Sequence, residues 1–207
     1  MLQGSDEWRQ ARCGSVGASD APSVVRRIKS GGYSADRESL MAAKVLERIT
    51  NTPVEPYRSA AMLQGTAREP EARMTYALVK GVEVEEIALV PHPFIKGAHC
   101  SPDGLVGLDG LVEIKCPQPP AHLDLLLNGQ ISNDYTVQMA WQLCCTGRMW
   151  CDFASYSSDF PGPMQLFIKR VPRDQTLIAE LEREVTTFIR EIDRKVEQLS
   201  RRYAMAA

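Results

Sequence analysis

The chain has 207 residues, 44% of them hydrophobic and 24% charged, which is enough to bury a core and is not the composition of a disordered protein. The net charge of −2 argues against a general DNA coat; any nucleic-acid surface must be a local basic patch on a mildly acidic body. No apolar run approaches the roughly 20 residues of a membrane span, residues 1–7 lack the basic-then-apolar start of a secretion signal, and a cytoplasmic location with reduced thiols at the six cysteines is expected.

From the N-terminus, residues 18–22 are placed to begin a helix, and residues 29–34 read as a flexible glycine loop. Residues 39–50 carry Leu40, Ala43, Val45, Leu46 and Ile49 among charges, an amphipathic helix. Residues 52–56 form a loop, and residues 60–79 a charged helix. Val82, Val84, Ile87 and Leu89 alternate with a fault midway, which reads as one strand over 82–90 with an irregularity. Further strands are expected at 98–100 and 111–116, punctuated by Gly104, Gly107 and Gly110.

Pro117, Pro119 and Pro120 stop the sheet and open a helix through Leu127. Asp134 is positioned to cap a helix that runs to Cys145 and ends at Gly147. Strands at 150–156 and 165–171 flank a proline-rich turn. The last segment, 173 to about 203, spaces Ile178, Leu181, Val185, Phe188, Ile192, Val196 and Leu199 by three and four, one apolar stripe for packing on the core or on another subunit. The order predicts an α/β or α+β fold in one domain, with a central mixed sheet flanked by helices. Its parts are a helical region over about 1–80, a sheet core over about 81–171 and the C-terminal helix.

The strongest chemical signal is Ser101-Pro102-Asp103-Gly104-Leu105 followed by Val112-Glu113-Ile114-Lys115-Cys116-Pro117. Alternate residues of a strand share a face, so Glu113 and Lys115 project together and Ile114 points into the core. A hairpin brings Asp103 beside them. Two carboxylates beside one lysine conflict until a cation joins them. Donors that are all oxygen suit Mg²⁺ or Mn²⁺, with the Ile114 carbonyl an extra ligand. Lys115 then faces the attacking water, and the chemistry is phosphodiester hydrolysis. An isolated Glu-x-Lys is common on solvated strands; the acidic turn upstream and the proline stop are what set this one apart. The cysteines show no CxxC spacing, so no zinc site is expected, and His92, His99 and His122 lack ligand spacing.

These two motifs resemble the central motifs of the bacteriophage lambda exonuclease family of phage recombination nucleases. The resemblance extends to Trp8-Arg9-Gln10-Ala11-Arg12-Cys13-Gly14-Ser15-Val16-Gly17-Ala18-Ser19, to Gly65-Thr66-Ala67-Arg68-Glu69-Pro70-Glu71-Ala72 and to Tyr135-Thr136-Val137-Gln138-Met139, in family order over about residues 5–155. It implies a restriction-endonuclease-like PD-(D/E)XK core. It implies that Asp103 and Glu113 bind metal, that Lys115 is the catalytic lysine, that Glu69 lies beside the metal site and that Gln138 lies near the water and scissile phosphate. Arg12, Ser19 and Ser101 match a 5′-phosphate pocket, to which Gln138 also contributes.

The implied activity is 5′-to-3′ digestion of linear double-stranded DNA with a 5′-phosphate, using Mg²⁺ or Mn²⁺, two ions per site, releasing mononucleotides and leaving a 3′ overhang. Implied partners are two further copies in a homotrimer ring and a phage single-strand annealing protein; the setting is a bacterial cell carrying a phage or prophage, with no membrane.

Each pocket residue also has a plainer reading: Arg12 as a surface charge, Ser19 as a helix cap, Glu69 as a solvated helix position, Gln138 as a structural hydrogen bond. Rival functions are a structure- or sequence-selective endonuclease of the same fold and a catalytically inactive DNA-end-binding protein. An iron–sulfur nuclease using Cys13 with Cys144, Cys145 and Cys151 fits poorly, because adjacent helical residues point about 100° apart.

Overall fold

A computed structural model describes residues 1–55 and 59–203. Helix α1 (Asp6–Arg12) starts where Ser5 accepts a hydrogen bond from Trp8 N–H. The short α2 (Ala21–Val25) begins after Asp20, one residue past Ser19, so the serine is not the cap. Helix α3 (Ala35–Thr50) ends at Asn51 in the left-handed region. The loop read over 52–56 is irregular through Glu55, and Pro56 lies outside the described residues. Helix α4 (Ala60–Lys80) is capped by Ser59 and closed by Gly81 at φ 63°.

Then come strands β1 (Val84–Glu85), β2 (Val90–Pro91), β3 (His99–Cys100), β4 (Gly104–Val106) and β5 (Gly110–Lys115). The second half runs α5 (Pro119–Asn128), α6 (Asn133–Thr146), β6 (Trp150–Tyr156), β7 (Leu166–Pro172) and α7 (Gln175–Arg202).

The main sheet has five strands in the order β1-β4-β5-β6-β7. Strands β5 and β6 are parallel, with Glu113 opposite Phe153, and the other pairs are antiparallel. The parallel pair needs a crossover, supplied by α5 and α6. Both faces of β5 are covered, which is why its sequence reads as an apolar run broken by one acid. One face carries Leu111 and Phe153 against Trp141 of α6 and the stripe of α7. The other carries Val112, Ile114 and Ala154 against Ala72 and Tyr76 of α4. The α7 stripe is buried on its own chain from Ile178 to Ile192, against α2, α3 and α6.

Three sequence expectations are corrected. The strand read over 82–90 is two strands in different sheets: β1 edges the main sheet, and β2 pairs with β3. Between them the carbonyls of Ile87 and Ala88 accept from the side chains of Gln3 and Trp8. Strand β4 was read as turn; Gly104 permits it, because a Cβ there would lie 2.2 Å from Val84 Cγ1. Helix α6 is capped by Ser132, which accepts from Tyr135 N–H, while Asp134 sits in the first turn and pairs with Arg26 at 2.6 Å.

Candidate active site

The β4–β5 hairpin places Asp103 just before β4 and brings its carboxylate across to β5. Asp103 Oδ2 accepts the N–H of Ile114 at 2.7 Å, and its own carbonyl accepts from Arg73 of α4 at 3.1 Å. The Ile114 side chain is buried on the α4 face. Glu113 and Lys115 share the opposite face. Glu113 is 1% exposed and is ion-paired to Lys115. Helix α6 supplies two amides one turn apart: Gln138 donates to Glu113 Oε1 and Gln142 to Oε2, each at 2.6 Å. Lys115 Nζ also lies 5.2 Å from the Tyr135 ring centroid.

The charges are strongly coupled. Burial, then the Glu113 carboxylate, push Asp103 well above the usual aspartate range. Burial pulls Lys115 down, but Glu113 and Asp103 outweigh it and hold the ammonium above its ordinary value. Glu69, on α4 at the rim, is raised by burial and by Glu113, with Lys115 opposing. The structure thus brings Asp103, Glu113, Lys115 and Gln138 together and puts Glu69 within reach of their field.

The second group lies next door. Trp8 Nε1 donates to Ser101 Oγ at 3.1 Å, and the Arg12 guanidinium stacks 3.9 Å over the Trp8 ring. Arg12 and the exposed Ser19 line a cleft of about 330 Å³ with Trp8, Asp20 and Lys44. Arg12 Nε donates to His99 Nε2 at 3.0 Å. With that nitrogen accepting, the ring proton sits on Nδ1, which faces Ser15 Oγ at 3.0 Å. Burial first, then Arg12 and Lys44, push His99 down to about 3, so it is neutral and an acceptor. Neither residue was assigned a role from sequence: His99 lies near the acidic turn but lacks ligand spacing, and Gln142 carries no motif. The available signal for Gln142 was its place four residues after Gln138 in a helix whose neighbouring positions are apolar.

The donors elsewhere do not compete with this site. Among the described residues, one trio of His, Cys, Asp or Glu ligand atoms lies close enough together to share an ion: His92, Cys144 and Glu182. His92 Nδ1 accepts from the N–H groups of Phe94 and Ile95 at 3.2 and 3.0 Å. Its proton therefore sits on Nε2, 3.2 Å from Cys144 Sγ, and leaves no lone pair there for a metal. The trio is a hydrogen-bond network tying the β2–β3 turn to α6 and α7. Cys13 approaches the Glu47 carbonyl, and Cys145 lies in hydrogen-bond reach of Cys100, both free thiols, so the cysteines weighed for a cluster do not converge among the described residues.

A mixed sheet carrying an acidic hairpin turn and a Glu-x-Lys on its central strand is the arrangement of restriction-endonuclease-like nucleases. The YqaJ-like viral recombinase domain matches residues 7–149. Two crystal structures of LHK-Exo, an alkaline exonuclease from Laribacter hongkongensis, one of them in complex with dAMP, superpose with a TM-score of 0.90 at 42% identity, over 98% of this chain and 100% of theirs. A phage-related exonuclease from Haemophilus somnus 129PT shares the fold at a TM-score of 0.69 and 13% identity, over 93% of this chain and 99% of that one. No curated protein sequence matches. The chain belongs to the YqaJ-like viral recombinase family, of the lambda exonuclease kind, and is a nuclease.

Proposed function

We propose that this protein is a Mg²⁺-dependent 5′-to-3′ exonuclease. It acts on linear double-stranded DNA, releases 5′-mononucleotides and leaves 3′ overhangs for phage-type recombination by strand annealing. The observation that carries this reading is the adjacency of the two groups: Ser101 and Asp103 sit two residues apart, and Trp8 links Ser101 to Arg12. The dAMP bound by the solved relative is a 5′-mononucleotide, in keeping with the proposed product.

The residues fit a hard divalent ion. Their donors are oxygens, and Asp103 is pushed up first by burial and then by the Glu113 carboxylate beside it, a charge conflict that a cation between the two acids would relieve. Asp103, Glu113 and the Ile114 carbonyl would hold Mg²⁺ or Mn²⁺, two ions per site with DNA bound, supplying charge neutralisation on the scissile phosphate and leaving oxygen. Lys115 orients the attacking water and, with Gln138, the phosphate. Glu69 adds negative potential at the rim. Arg12, with its forked donor, binds the 5′-phosphate together with Ser19 and Ser101, and His99 holds the guanidinium in place. Each cut leaves a new 5′-phosphate, so the product of one cycle anchors the next.

The same reading takes residues 1–207 as one nuclease domain, assembled as a homotrimer around the duplex and working beside a single-strand annealing protein in the bacterial cytoplasm. Linear duplexes with 5′-phosphate or 5′-hydroxyl ends, with a closed circle alongside, test it. The expected result is mononucleotide release from the phosphorylated ends and an intact circle. Nicking of the circle would favour the endonuclease reading instead.

A further inference from the structure

Glu113 is the most enclosed acid of the site, and its two oxygens are held differently. Oε1 receives Gln138 Nε2 and Lys115 Nζ, from side chains that are only partly buried. Among the described residues Oε2 receives Gln142 Nε2 alone, from a side chain that is 0% exposed. Gln142 Oε1 is buried and has no hydrogen-bond partner among the described residues. Turning the amide over would aim that oxygen at a carboxylate oxygen, so the orphan acceptor is a consequence of gripping Glu113. A buried amide with half its polar capacity unmet destabilises a core position that an apolar side chain would fill.

We propose that Gln142 is a positioning residue for the reaction: it anchors Glu113 Oε2 from the core side, leaving Oε1 as the oxygen turned to a divalent ion. Gln138 and Lys115, which meet Oε1, are then the groups free to exchange the carboxylate for water and phosphate. A neutral amide suits the anchoring role, because it orients the carboxylate without a positive charge that would repel the ion. This rests on the reading of Glu113 as a metal ligand.

The test measures Mn²⁺ binding to the full chain without DNA, by the electron paramagnetic resonance signal of free Mn²⁺, for wild type, Asp103→Ala and Gln142→Met. Folding is checked by circular dichroism and duplex binding in chelator. Gln142→Met should stay folded, bind duplex in chelator as wild type does, and lose about tenfold to a hundredfold in Mn²⁺ affinity. A folded Gln142→Met with Mn²⁺ affinity within twofold of wild type, beside a lost affinity in Asp103→Ala, overturns the role of Gln142 alone. If the methionine variant does not fold, Gln142→Asn keeps a buried amide but retracts its donor; a smaller fall in affinity is expected, and no fall overturns the role. Wild-type affinity that survives Asp103→Ala places the ion elsewhere and removes the metal reading together with this one.

Discussion

Single residues of the proposed site fall into groups that would act on the phosphate and groups that hold them. Asp103→Ala or Glu113→Ala should abolish hydrolysis while duplex binding persists, since contacts to the DNA backbone survive the loss of a ligand; near-normal turnover in either would end the metal assignment. Lys115→Ala should be as severe in turnover. Arg12 offers charge-assisted hydrogen bonds of roughly 1.5–3 kcal/mol each, so Arg12→Ala should cost about tenfold or more in initiation and erase most of the preference for 5′-phosphate over 5′-hydroxyl ends. An unchanged preference would remove Arg12 as the anchor.

His99 contributes a pH dependence. Its folded value of about 3 lies below the ordinary 6.5. The unfolded chain therefore binds the extra proton first, and this contribution to stability is whole above about pH 6.5 and is lost as pH falls toward 3. Urea midpoints of wild type should drop between pH 7 and pH 4 more steeply than those of His99→Gln; parallel profiles would contradict the assignment. That Asp103, Glu113 and Lys115 meet was legible in the sequence, because strand alternation puts Glu113 and Lys115 on one face and a hairpin returns Asp103 beside them. His99 and Gln142 were not, because their partners, Arg12 and Glu113, come from distant segments and a buried polar residue carries no local signature.

At the scale of elements, periodicity served the long pieces and failed the short ones. Helix α7 is read almost to its ends, because a stripe sustained over many turns has one interpretation. Strands of two or three residues, such as β1, β2 and β4, have no period to read, and the assignment of 82–90 to one strand failed where side chains of the N-terminal segment took the backbone carbonyls. The cap of α6 went to Ser132 because Asp134 already lies inside the first turn. The stripe itself makes a stability prediction. Phe188 is fully buried in the main core cluster, with the Arg37 guanidinium of α3 4.8 Å from its ring centroid, so Phe188→Ala should cost about 3–5 kcal/mol. A loss below about 1 kcal/mol in chemical denaturation would mean that α7 is not part of the core.

At the scale of the whole molecule, the fold class followed from element order, but the strand order did not: pairing β1 with β4 joins segments that only tertiary structure brings together. The proposed ring is a prediction of the same scale. For a ring of three, light scattering should return three times the 23.0 kDa chain mass; a stable monomer that remains processive would defeat it. The central claim is directional digestion from a 5′-phosphate, and its most direct test is a linear duplex with one 5′-phosphorylated strand, each strand carrying a distinct 3′-end label, with Mg²⁺. The phosphorylated strand should shorten from its 5′ end, its 3′ label remaining on ever shorter fragments as 5′-mononucleotides appear, while the other strand stays intact. Early release of the 3′ label as a mononucleotide, or equal loss of both strands, would contradict it.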